Sequence, residues 1–298
     1  MTKKAQRKLN PARDEFIWGW MFLLPTMLGL IILNILPIFQ TIYQSFFRTG
    51  DFGHGNVFVG LDNYVRLFND IEVWQALWNT LRYVAVEVPI SIFISLILAG
   101  LLNLKLKGRT IYRTIFFLPM VVAPAAIAMV WRWIFNSNFG LINNLLGIRV
   151  HWISDPNIAI YSIAVIGIWS IIGYNMILFL AGLQEVPKDF YEAAEIDGAN
   201  GIQKFFKITI PMISPTLFFV CVTRIIAAFQ LFDLIFMVME PTNPALRSTQ
   251  SLAFLFYRNS FVEHNLGYGS TIVVLLLVVI LLVTIIQVKS QKRWVHYN

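Results

Sequence analysis

The 298-residue chain is 57% hydrophobic and only 13% charged, with a mean hydropathy of +0.67, a composition that excludes an ordinary soluble domain. Its net charge of +7 is concentrated in particular loops instead of a basic stripe, so it reads as topology determination, and nucleic acid is not expected as a partner. The single Cys221 lies in a hydrophobic run, which leaves no internal disulfide and no cysteine metal site.

A basic tail, residues 1–16, carries Lys3, Lys4, Arg7, Lys8 and Arg13 and leads into the apolar run Ile17 to Phe39. That run is too long for a signal-peptide core and reads as an uncleaved first span. Further runs at about Thr80 to Leu102, Thr114 to Ile134, Ile158 to Leu180, Met212 to Met239 and Thr271 to Gln287 are each long enough to cross a hydrocarbon core of about 30 Å as helix. The expected fold is therefore an all-α polytopic membrane protein: a six-span permease-like domain at 17–287 between the basic tail and a short tail at 288–298. Lys105, Lys107, Arg109 and Arg113 follow span 2, Lys188, Lys204 and Lys207 follow span 4, and Lys289, Lys292 and Arg293 follow span 6. The alternate loops hold only Arg48, Arg66, Arg149, Arg247 and Arg258, so both termini and the loop at 182–211 are expected in the cytoplasm.

Loop 182–211 is far longer than a turn between two spans requires. Pro187 pre-sets a helix start, Asp189 and Glu192 have the spacing of a capping box, and Gly198 is placed to end the helix in a left-handed turn. This predicts a helix from Lys188 to Asp197. A second begins near Asn200 or Gly201 and runs through Ile202, Phe205, Phe206 and Ile210 until Pro211 and Pro215 break or kink it. The result is a helix-turn-helix knob at a membrane face. As chemistry alone, an interfacial amphipathic loop and a docking device both fit it.

Polar groups inside spans are costly in hydrocarbon and usually face a bundle interior or a cavity. Glu87 precedes Pro89 in span 2, Ser170, Tyr174 and Asn175 flank Gly173 in span 4, and Arg224, Gln230 and Asp233 lie in span 5. On a continuous helix Phe229, Gln230 and Asp233 fall at i, i+1 and i+4 and share one side. Asp233 is then about 30 Å along that helix from Pro211, near the outer leaflet. Acid, amide and ring together suit a sugar, whose hydroxyls need donors and acceptors and whose C–H face stacks on aromatics. Bonds to neighbouring helices are the alternative for Gln230 and Asp233. Glu87 and Arg224 read as a buried ion pair fixing helix packing, with snorkelling towards the cytoplasm the alternative for Arg224. His54, His151, His264 and His296 are too scattered for a metal site, and no G-x-x-x-x-G-K-[ST] loop occurs, so neither metal nor cofactor nor catalytic residue is assigned and energy must come from elsewhere.

Glu192-Ala193-Ala194, three residues, Gly198, nine residues, then Ile208-Thr209-Ile210-Pro211 resembles the cytoplasmic signature of permease subunits in binding-protein-dependent ATP-binding-cassette importers, with Ile210 where that signature usually has Leu. The resemblance extends over nearly the whole chain from about Trp18. Phe58-Val59-Gly60-Leu61-Asp62-Asn63-Tyr64 and Phe139-Gly140-Leu141-Ile142-Asn143-Asn144 look like the carbohydrate branch, which includes the larger membrane subunit of the maltose importer and sugar and glycerophosphodiester permeases. The chain departs from it at Glu240-Pro241-Thr242-Asn243-Pro244, where the family often has Gly-Gly-Pro. The resemblance implies location in the bacterial cytoplasmic membrane, a second homologous permease, ATPase subunits and an extracellular solute-binding protein as partners, and membrane lipid around the spans. It implies that Glu192, Ala193, Ala194, Asp197 and Gly198 belong to a coupling helix seated on an ATPase. It also implies that Tyr174, Asn175, Phe229, Gln230 and Asp233 line a site for a sugar or oligosaccharide. The rival from the residues alone is an ion-coupled secondary carrier relaying protons through Glu87 and Asp233, although no inverted repeat is visible.

Overall fold

The structure is a computed structural model describing residues 11–50, 56–104 and 107–296, with side chains from residue 15 onward. The basic residues Lys3, Lys4, Arg7, Lys8 and Lys105, and His54, lie outside the described residues, and Arg13 is described in its backbone only. Helix α1 (Pro11–Leu30) continues through a π turn into α2 (Leu36–Gln44). A small antiparallel pair follows, β1 (Phe47–Thr49) and β2 (Asn56–Phe58), with Phe47 opposite Phe58. Then come α3 (Asp62–Asn69), α4 (Ile71–Asn103), α5 (Arg109–Val121), α6 (Pro124–Ile134), α7 (Leu141–Leu146) and α8 (Ala159–Glu185). The second half holds α9 (Lys188–Ile196), α10 (Gly201–Lys204), α11 (Ile210–Met212), α12 (Ser214–Phe229), α13 (Asp233–Val238), α14 (Leu246–Thr249), α15 (Leu252–Tyr257) and α16 (Leu266–Gln291).

Four helical runs, Glu15–Gln44, α4, α8 and α16, are long and apolar enough to cross a membrane, and two bent pairs bring the candidates to six. Two expected straight spans are broken. The third bends by 100° between α5 and α6, where Pro124 starts a new helix after Val122 and Ala123 leave the helical region. A proline lacks the donor that would continue the first helix and restricts the residue before it, so the break is local chemistry. The fifth bends by 69° between α11 and α12 around Ile213, then stops at Phe229 and restarts at Asp233.

Helix α8 is the axle of the bundle, with 56% of its most apolar window buried against 39% for α4 and 17% for α16. Lipid tails are as apolar as leucine, so packing here comes from close approach rather than from escape from water. Small residues supply that approach on three sides of α8. A Cβ on Gly167 would meet the Tyr83 hydroxyl of α4, one on Gly173 the Phe116 carbonyl of α5, and one on Gly182 the Thr216 side chain of α12. One core cluster gathers Tyr83, Ile160, Ile163, Ile166 and Ile235, and another, nearer the knob, gathers Leu96, Met176, Phe179, Leu183 and Ile213. At Gly173 the added atom would stand 1.9 Å from backbone oxygen, which no rotamer relieves. Gly173→Ala is therefore expected to lower stability by about 1–3 kcal/mol through overpacking. Gly100→Ala, with nothing within 4 Å, should not lower stability when both variants are unfolded in detergent.

Candidate functional site

The loop after α8 is a compact helix-turn-helix. Helix α9 spans Lys188–Ile196, one residue short of the expected end, and Gly198 sits at φ +77, the left-handed turn expected there. The expected Asp189–Glu192 capping box is not formed. Pro187 occupies the cap position, which moves Asp189 into the first turn, where its charge still complements the helix dipole. The capping box stands one helix later: Asn200 Oδ1 accepts from the Gln203 amide and Gln203 Oε1 from the Asn200 amide, both at 2.9 Å. Two bonds clasp the arms, Lys204 Nζ to Glu195 Oε1 at 2.6 Å and the Tyr191 and Thr209 hydroxyls at 3.0 Å. The hydrogen bond and charge of Lys204 hold the Glu195 carboxyl below the usual carboxylate range, so this clasp is complete at neutral pH and is lost only as pH falls through that lowered value.

Glu192 and Asp197 are exposed, as are Ala193, Gly201 and the apolar side chains of Ile196, Ile202 and Phe206, the first of these 88% exposed. So much apolar surface on a polar knob marks an interaction surface, for another protein or for the membrane face. Beyond the knob the helix runs through a π turn at Phe205–Thr209 and α11 to the 69° joint at Ile213, which leads directly into α12. The C-terminal tail rests on the joint: the His296 amide donates to Ser214 Oγ at 2.9 Å, and Trp294 meets Phe218 edge-on.

The two helix breaks meet near the far end of α12. A cavity of about 240 Å³ is walled by Pro119 and Pro124 at one break, Asp233 at the other, Arg224 of α12, Tyr83 of α4 and Ser170 of α8. Behind its wall Arg224 Nη2 donates to Glu87 Oε1 at 2.5 Å, with the Glu87 side chain 0% and the Arg224 side chain 13% exposed. The expected ion pair is thus formed, and Arg224 does not snorkel. Among the described residues, Glu87 Oε2 and Arg224 Nε are buried without a hydrogen-bond partner, and the Asp233 side chain makes no hydrogen bond or ion pair.

The helical face expected for Phe229, Gln230 and Asp233 does not exist, because the helix ends between them. Phe229 is 2% exposed in a third cluster with Leu67, Tyr268 and Ile272, away from the cavity wall. Gln230 caps α12 and is exposed, while Asp233 opens α13. Tyr174 is on the bundle surface at 36% exposure. Asn175 is 0% exposed, and among the described residues neither atom of its amide is paired, an expensive state for a buried side chain. Sequence reasoning missed Tyr83. The usable signal was its position one turn before Glu87, which places hydroxyl and carboxylate on one helix face.

At the end opposite the knob, the segment carrying the Pro241 and Pro244 departure is well anchored. Glu240 pairs with Arg132, and the Asn243 amide donates to the Ile153 carbonyl at 3.0 Å. Beside it a larger cavity of about 620 Å³ is lined by Phe236, Phe254, Tyr257, Arg247 and Arg258. Arg258 is engaged by Glu72 and Glu263.

The comparisons with known proteins agree with this geometry. Residues 91–296 match the family model described as binding-protein-dependent transport system inner membrane component. The chain is 34% identical over 98% of its length to the probable ABC transporter permease protein YesP of Bacillus subtilis, covering 96% of that protein. It is 31% identical over 97% of its length to the sn-glycerol-3-phosphate transport system permease protein UgpA of Yersinia pestis, covering all of it. Among solved structures it superposes on a chain of a bacterial alginate ABC transporter in complex with alginate pentasaccharide-bound periplasmic protein, with a TM-score of 0.82 at 21% identity, covering 97% of this chain and 98% of that one. Multi-pass helical architecture, a helix-turn-helix between the fourth and fifth candidate spans, and relatives aligned end to end together show that the chain belongs to the family of binding-protein-dependent transport system inner membrane components.

Proposed function

We propose that the chain is one of two homologous permease subunits of an ATP-driven importer for a sugar or oligosaccharide in a bacterial cytoplasmic membrane. It would have six spans, with both termini and the knob in the cytoplasm. The observation that carries this reading is mechanical: one run of backbone connects the exposed knob, through the joint at Ile213, to Arg224 and Asp233 at the cavity. ATPase subunits gripping Glu192, Ala193, Ala194, Asp197 and Gly198 would move the cavity wall as they close on nucleotide, biasing the spans between inward-open and outward-open arrangements. ATP hydrolysis belongs to those subunits. A solute-binding protein docks at the opposite end.

The solute half-site on this chain centres on Asp233, with the Tyr83 and Ser170 hydroxyls and the Arg224 guanidinium beside it. Gln230 and Tyr174 flank it from exposed positions where a second permease would close the pathway, and Asn175 has amide atoms to spare. Phe229 contributes through the packing that holds the end of α12. The names of the relatives support a carbohydrate or polyol-phosphate solute class. The ion-coupled alternative has no support, since the relatives are transport-system permeases and Glu87 is held by Arg224 instead of standing free.

Purification of the tagged chain in mild detergent, with mass spectrometry of what accompanies it, tests the proposal. A second permease and an ATPase are expected. Recovery alone, with uptake that collapses when the proton gradient is removed, would overturn it.

A further inference from the structure

We propose that the cavity selects uncharged glycans over acidic ones, with Asp233 setting the preference. The inference rests on the reading of that cavity as half of the solute pathway. Its walls carry two charged groups, Arg224 and Asp233, and the neutral Tyr83 phenol, with Glu87 directly behind Arg224. The Glu87 carboxylate sits 2.5 Å from the guanidinium, so the positive charge that would attract an anion is already matched. Asp233 is not matched: it is exposed at the start of α13 and its side chain has no ionic or hydrogen-bonding partner among the described residues. The local sum is one uncompensated negative charge in a site whose other walls include Pro119, Pro124 and Ile127.

An uncharged sugar meets this arrangement well. One hydroxyl donates to the Asp233 carboxylate, another accepts from the Arg224 N–H groups left over from Glu87, and the Tyr83 hydroxyl serves either way. A carboxylated or phosphorylated solute must either face Asp233 across the cavity or displace Glu87, whose other carboxylate oxygen has no hydrogen-bond partner among the described residues. The relatives named for alginate and sn-glycerol-3-phosphate carry acidic solutes, so this chain would differ from them in charge preference as well as in sequence.

The test is direct binding of maltotriose and trigalacturonic acid, matched in size and differing in charge, to the purified complex as it is recovered with its partners, by saturation-transfer difference NMR without binding protein. Wild type is expected to favour maltotriose, and Asp233→Lys to shift the ratio towards trigalacturonic acid by about tenfold. Asp233→Asn should move it in the same direction by less, and serves if the lysine variant fails to assemble. Binding of both trisaccharides at a ratio that neither variant changes overturns the charge preference and leaves the pathway reading standing. Absence of signal from either trisaccharide overturns the glycan pathway and the preference together.

Discussion

Replacing Gly198 by valine is expected to reduce uptake about tenfold or more and to release the ATPase during purification, although the site of substitution touches nothing. A Cβ there would meet no atom within 4 Å, so crowding is not the cause. The cause is the backbone, held at φ +77, where an L-residue costs about 1–2 kcal/mol and a β-branched one more. Helix α9 has only nine residues, below the roughly 12–15 needed for stability alone, so its direction depends on the turn and on the clasps to the second arm. On the proposed coupling, a knob whose arms swing cannot carry a push from an ATPase to α12. Gly201→Ala, also open to solvent and outside the left-handed region, should leave uptake and copurification intact. Normal uptake and ATPase recovery in Gly198→Val would remove the turn from the coupling path.

The contrast between knob and cavity shows where reading a sequence succeeds. The knob is built from local signals: a proline start, a left-handed glycine and helical apolar spacing all act within a few residues, so both helices and the turn were legible. Only the cap was misplaced, because Asp189 and Glu192 have the right spacing but the preceding Pro187 begins the helix earlier. The cavity is made by tertiary events. Pro119 and Pro124 were visible inside the third apolar run, yet hydropathy alone counts such a run as one span and is blind to a bend of 100°. The stop at Phe229 has no proline or glycine to announce it; tertiary contacts hold it, the packing of Phe229 among Leu67, Tyr268 and Ile272 and the Ser251 hydroxyl donating to the Leu231 carbonyl. Assuming a straight helix put Phe229 and Asp233 on one face. The break separates them, and it brings Asp233 to Tyr83, which periodicity had no means of pairing with it.

Glu87→Leu is expected to destabilise the protein by about 3–5 kcal/mol, the usual consequence of leaving one partner of a buried pair uncompensated. The pair spans two helices: Glu87 is in α4 just before Pro89, and Arg224 is in α12 one turn before the end that walls the cavity. Removing the carboxylate strands a guanidinium whose Nε already lacks a hydrogen-bond partner among the described residues. Glu87→Leu combined with Arg224→Met removes both desolvation costs and keeps most of the volume, so it should recover much of the loss. The interaction free energy from the full cycle should then exceed about 1 kcal/mol. Unfolding midpoints in detergent measure this without reference to transport, which matters because Arg224 also faces the cavity. If the two single substitutions simply add, the carboxylate does not depend on Arg224, and a free Glu87 able to exchange protons becomes the better description. A large interaction term means that Glu87 is spent on holding α12 against α4. The charge Arg224 shows to the cavity is then set by the packing of the bundle, which on the proposed pathway leaves Asp233 as the group that meets the solute.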